Sequence, residues 1–81
     1  MKKSEFVECM IVLGNDVTFV YNGKKSGIAS QVDSGIFSFD AWYGDQFKEY
    51  GQVDLEVVIA DPLFDGESIN ELLDEVEFFF L

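Results

Sequence analysis

Residues 49 to 81, EYGQVDLEVVIADPLFDGESINELLDEVEFFFL, hold ten carboxylates and neither lysine nor arginine. The first 48 residues hold the other six acids and all five lysines, so a segment of net charge −10 follows one of −1 within a chain of −11. Apolar residues run through the acidic block at core-forming spacing, unlike a solvated acidic tail, which low hydrophobicity leaves disordered. The block must therefore fold with its apolar side inward and its charge on a surface.

At 81 residues the chain has room for one domain, residues 1 to 81, with one layer packed on another. A chain of this size buries only about 60% of its unfolded surface. Nine Phe, three Tyr and one Trp offset that handicap, since each buried aromatic removes about 150 to 250 Å² from water. A single cysteine, Cys9, allows no internal disulfide, and without histidine the usual zinc ligand sets are missing. Glu5 and Glu8 interrupt the apolar run of MKKSEFVECMIVLG, so no export signal is read. No apolar stretch is long enough to span a bilayer, and anionic lipid would repel so acidic a surface. The expectation is a cytoplasmic protein with no membrane partner.

Ser4 is placed to cap a helix from about Glu5 to Leu13, with Phe6, Met10 and Leu13 on one face and Gly14 closing it. Cys9 reads as a small apolar residue of that helix. From Val17 the period becomes two. Val17 to Tyr21 and Lys25 to Val32 form strands joined by the hairpin signal Asn22-Gly23. Asp33-Ser34-Gly35 turns the chain again. Ile36 to Tyr43 then sets Phe37, Phe39, Ala41 and Tyr43 on one face and Ile36, Ser38, Asp40 and Trp42 on the other. A short fourth strand or a strapped loop comes next at Phe47 to Tyr50. Val53 to Ala60 fits either a strand or a helix, and Pro62 bounds it in both cases. Ser68 and Glu71 form a capping box ahead of Ile69, Leu72, Leu73 and Val76, the clearest helical row in the chain. The closing FFFL extends that helix or forms a last strand; as a strand it must leave one Phe outside. The fold class is α+β: an N-terminal helix, a three- to four-stranded antiparallel meander and a C-terminal helical layer, with a possible short last strand.

The pieces YNGKK, WYGDQFKEY and DPLFDGESINELLDEVE, spread over residues 21 to 77, resemble short uncharacterised reading frames of Gram-positive bacteria and their mobile elements. The resemblance implies a helix before the D-P-x-F-D-G string, and so over Val53 to Ala60. It carries no functional residues with it.

Several chemistries lack their parts. With no histidine, a Ser-His-Asp or Cys-His nucleophile has no base. The lysines lie at the N-terminus (Lys2, Lys3), at a hairpin turn (Lys24, Lys25) and beside acids (Lys48), where they stay charged. No Gly-rich phosphate loop and no arginine is present. Asp61, Asp65, Gly66 and Glu67 coincide with positions of an EF-hand loop, but Leu63 and Leu72 stand where two ligands belong. No metal, cofactor or catalytic residue is expected, and the charge opposes direct nucleic-acid binding. Phe37, Phe39 and Trp42 read as core rather than as a base-stacking platform.

The acids of the last helix remain. Like charges such as Glu67 with Glu71 and Glu71 with Glu75 each cost the helix about 0.2 to 0.5 kcal/mol. Glu67 and Glu71 serve its N-terminus, whereas Asp74, Glu75 and Glu77 approach the negative end with nothing positive expected near them. The acids either keep a Phe-rich protein soluble or dock a basic protein partner, with Glu67, Glu71, Asp74, Glu75 and Glu77 as the charged face and Phe79 or Phe80 as the apolar anchor. A DNA-mimic inhibitor of a nucleic-acid-binding protein and a small homo-oligomer joined through FFFL are the alternatives.

Overall fold

Alternation of side chains from Val17 onward builds one antiparallel sheet. In the computed structural model, which describes residues Met1–Leu81, the strands are β1 (Val17–Tyr21), β2 (Lys24–Asp33), β3 (Ile36–Tyr43), β4 (Gln46–Gly51) and β5 (Phe79–Phe80). The first four form a meander, and β5 returns from the C-terminus to pair with β1, giving the order β4-β3-β2-β1-β5. Asn22 and Gly23 both take positive φ, 51° and 74°, as do Ser34 and Gly35, 52° and 78°. Two central residues of that hand match the twist of the flanking strands, which is why both hairpins close so tightly.

Register decides which residues meet. Val17 stands opposite Ile28, Phe19 opposite Ser26, and Ser26, Ile28 and Ser30 opposite Tyr43, Ala41 and Phe39. These residues share the face that the helices cover, and all but Ser30 are buried. The β3 to β4 pairing slips between Phe39 and Asp40. Tyr50 is left as the extra residue there, and such a bulge re-aims a side chain.

Two short helices, α2 (Leu55–Ala60) and α3 (Ile69–Leu72), and the N-terminal helix fill the layer over this face. The stretch from Val53 to Ala60 thus resolves toward helix, over Leu55–Ala60 with Asp54 at its N-cap, and Leu55, Val58 and Ile59 are buried. The N-terminal helix, α1 (Lys3–Val7), begins earlier than the serine cap implies. Lys2 holds the cap position without a side-chain bond, and Ser4 lies inside the first turn. The Met1 amino group, bound to the Leu73 carbonyl at 2.9 Å and the Asp74 carboxylate at 3.0 Å, fixes that start in place of a cap. Beyond Val7 the chain widens into a π-helical turn, Glu8–Val12, in which Leu13 N–H donates to the Glu8 carbonyl at 3.1 Å. The extra residue of such a turn rotates the side chains beyond it about the helix axis. Phe6 and Met10 stay buried, Cys9 is half-buried, and Leu13 leaves the apolar row for solvent. Gly14 closes the helix at φ 68°, as expected.

Aromatic edges join the layers. Phe6 packs against Phe78 and Phe80 with ring centroids at 5.2 and 5.6 Å, and Phe19 packs against Phe64 and Phe78 at 5.1 and 5.2 Å, all edge-to-face. Such pairs contribute about 0.5–1.5 kcal/mol each beyond the area they bury. Phe78 and Phe80 therefore face the core, and Phe79 between them faces out, 53% exposed. No helix is long and apolar enough to cross a membrane.

Candidate functional site

Asp65 and Gly66 both take positive φ, 57° and 81°. Phe64 and Glu67 on either side exchange two backbone hydrogen bonds of 3.0 Å each. The Asp-Gly pair thus makes a miniature two-residue hairpin. It buries Phe64 and returns the chain to Ser68 at the start of α3. The capping box forms: Glu71 N–H donates to Ser68 Oγ at 3.4 Å, and Ser68 N–H and Oγ–H donate to Glu71 Oε1 at 3.1 Å each. Asn22 Nδ2 donates to Asp65 Oδ2 at 3.0 Å, tying the β1–β2 hairpin to this turn.

Four carboxylates consequently gather at the end of β1. Burial first, then Glu67, Glu75 and Asp65, push the Tyr21 hydroxyl above its ordinary pKa. Hydrogen bonding and repulsion from Glu71, with Glu75 and Asp65 adding to it, lift the Glu67 carboxyl above the usual range. Glu71 is held below that range, chiefly by the Ser68 backbone N–H. None of Asp65, Glu67, Glu71 and Glu75 forms an ion pair.

The rest of the acidic block is partly compensated, contrary to the expectation that it meets no cation. The Met1 amino group pairs with Asp74 at 3.0 Å, Lys3 with Glu56 at 2.7 Å, and Lys48 with Asp61 at 2.7 Å. The N-terminal segment packs beside the later helices and β4 lies beside the end of α2, so opposite charges meet. Tyr50, re-aimed by the bulge, donates its hydroxyl to the same Asp61 oxygen at 2.5 Å. Asp61 is held below the usual carboxylate range by Lys48 first and Tyr50 second. Burial and the Asp61 bond push the Tyr50 hydroxyl strongly up.

Helix α3 is also shorter than its apolar row implies: it ends at Leu72, and residues 73 to 75 form a turn. Asp74 and Glu75 therefore stand on a turn, and the objection that they crowd the negative end of a long helix falls away. Of the expected partner-binding residues, Glu67 is half-buried while Glu71, Glu75 and Glu77 are exposed. Asp74 is exposed but paired, Phe79 is exposed, and Phe80 is withdrawn into the core against Phe6. Tyr21 and Asp65 belong to the cluster, although helical periodicity does not point to either. The Asp65-Gly66 dipeptide, a hairpin signal as strong as Asn22-Gly23, does. Trp42, read as core, lies on the opposite face of the sheet, half-buried against Gly27. No family model, curated protein or solved structure matches the chain, so the chemistry of these residues carries the functional reading.

Proposed function

We propose that this domain is a non-catalytic binding module that docks a basic surface of a partner protein through the acidic end of the molecule. The observation that carries the reading is the cluster of Asp65, Glu67, Glu71 and Glu75 around Tyr21, crowded enough to lift Glu67 and without an ion-paired cation of its own. Asp65 and Glu71 have hydrogen-bond partners within the fold, but the repulsion among the four is left uncompensated, and a partner's lysines or arginines would relieve it and be steered toward it from solution. Glu77 extends the charged surface along the chain, and Phe79 is the exposed apolar residue beyond it. Asp74 pairs with the Met1 amino group and Phe80 packs against Phe6, so neither is assigned to the contact. Self-association through FFFL has less support, because only Phe79 and Leu81 of that end are exposed.

Affinity capture from lysate of the native cell, at low and at high salt, tests the reading. A lysine- and arginine-rich protein should be retained at low salt, released at high salt, and lost when Glu71→Gln and Glu75→Gln are combined. Retention indifferent to salt and to both substitutions would remove the acidic cluster from the function.

A further inference from the structure

The sheet face turned away from the helices carries a row of residues that crosses all five strands. By register Phe47 stands opposite Trp42, Trp42 opposite Gly27, Gly27 opposite Thr18, and Thr18 opposite Phe79. Gly27 makes the row possible. A Cβ there would collide with Trp42 Cζ2 and lie 2.5 Å from the Val17 carbonyl oxygen. The indole thus lies down across β2, and beside it opens a cleft of about 350 Å³ lined by Trp42, Thr18, Val20, Lys25 and Phe79 among others. Phe47, Val20 and Phe79 are 61%, 58% and 53% exposed. No helix, loop or terminal segment of the chain packs over them.

Two residues along the same strands, Asp40 and Glu49 stand directly opposite each other on this face. Like charges in that relation destabilise a strand pair. Neither forms an ion pair: Lys48 points to the other face and binds Asp61, and Lys25 lies across the row, beyond Gly27 and Trp42. Two cross-strand aromatic neighbours, Phe47 and the Trp42 whose indole lies over Gly27, therefore adjoin a carboxylate pair that lacks its cation. A guanidinium or ammonium group stacks on the first and binds the second.

We propose that this face is where a basic segment of the partner protein is anchored, with an arginine or lysine stacked on Phe47 and paired with Asp40 and Glu49, and an apolar side chain seated in the cleft between Trp42 and Phe79. The proposal rests on the reading of a basic partner, and assigns to the sheet face the contact made after electrostatic steering. Charge complementarity selects this occupant. A second copy of the chain would set Asp40 and Glu49 against their own kind within a pair of molecules each of charge −11.

Trp42 is the only tryptophan, so its fluorescence reports on this face directly. The probe is a short synthetic peptide of alternating arginine and leucine, with a control in which glutamine replaces arginine. Titration should shift and quench Trp42 emission with the arginine peptide alone, and should move the backbone amide resonances of Gly27, Asp40, Trp42, Phe47 and Glu49. Combining Asp40→Asn with Glu49→Gln should weaken binding about tenfold or more. Because it removes a repulsion, this variant should fold at least as well as the parent. Phe47→Ala supplies an independent loss of the stacking surface. Amide shifts confined to Tyr21, Asp65, Glu67, Glu71 and Glu75 would overturn the sheet-face proposal while leaving the acidic docking reading intact. Shifts on the sheet face that ignore Glu71→Gln and Glu75→Gln would uphold it and remove the acidic cluster. No binding anywhere would sink both. A concentration-dependent mass that Phe47→Ala abolishes would make the occupant a second copy and overturn the proposal.

Discussion

The two faces of the sheet are built from the same strands by the same alternation, yet they differ in what holds them. On the covered face Phe19, Ile28, Phe39 and Tyr43 are buried and meet Phe64, Phe78 and the helices. On the open face Phe47, Val20 and Phe79 are just as apolar but exposed, and Trp42 is half-buried against Gly27. A small domain places its aromatics where burial offsets the loss of chain entropy. The open-face aromatics do not serve that purpose. Exposed apolar residues set side by side in this way fit the contact proposed above.

That contrast can be broken by substitution, and the largest effect belongs to the covered face. Phe6 is fully buried and touches both Phe78 and Phe80 edge-on. Phe6→Ala should cost about 3–5 kcal/mol, which is most of what a domain this small commands. Chemical denaturation should show a collapsed or missing transition, and retention of the parental midpoint would mean that the N-terminal helix is no part of the core. Next comes the seam between the faces. Gly27→Ala pushes a methyl group into the Trp42 ring and the Val17 carbonyl. The expected loss is about 1–3 kcal/mol by overpacking, with Trp42 emission moving toward that of a solvent-exposed indole. An unchanged emission spectrum would show that the indole does not lie across β2.

A smaller effect carries a pH signature. The Asp61 carboxyl is held down by Lys48 and Tyr50, so its folded pKa lies below the unfolded one. Its stabilisation is present above the unfolded value of about 3.9 and is lost as pH falls through the folded value. Asp61→Asn should therefore cost about 1–2 kcal/mol near neutrality, and the gap to the parent protein should close as the solution is acidified below that range. Glu67 runs the other way. Its raised carboxyl means that protonation relieves repulsion, so its contribution favours the folded state at low pH and fades as pH rises through the folded value. A gap between Asp61→Asn and the parent that widens in acid would contradict the ion pair.

What is legible in the sequence divides along the range of the interactions. Asn22-Gly23, the alternation of β3 and the Ser68–Glu71 capping box are local rules, and each appears where the residues place it. The length of α3 was not legible, because the row Ile69, Leu72, Leu73, Val76 is satisfied by one helical turn and then a bend that still half-buries Leu73 and Val76. The π-helical widening after Val7 has no signal in residue type. The ion pairs of Asp74 and Glu56 reach back to the first three residues, and that of Asp61 spans the 13 residues to Lys48 on β4, so all three arise from topology and not from local spacing. For the candidate site, the acids were readable as a block. Which of them stay without a cation depended on where the strands brought the lysines and the amino terminus.

The smallest expected effect on stability is also the sharpest use of the comparison. Phe47 is 61% exposed on an edge strand and pairs across the open face with Trp42. Since little of its surface is removed from water by folding, Phe47→Ser should change stability by no more than about 0.5 kcal/mol. A core phenylalanine treated the same way would unfold the domain. If thermal unfolding shows Phe47→Ser to be as damaging as a core change, the open face is structural and its aromatics need no partner. If stability holds while capture of a basic protein is lost, the residue serves the contact alone. The two faces would then be separable by a single side chain, one carrying the fold and the other the interaction.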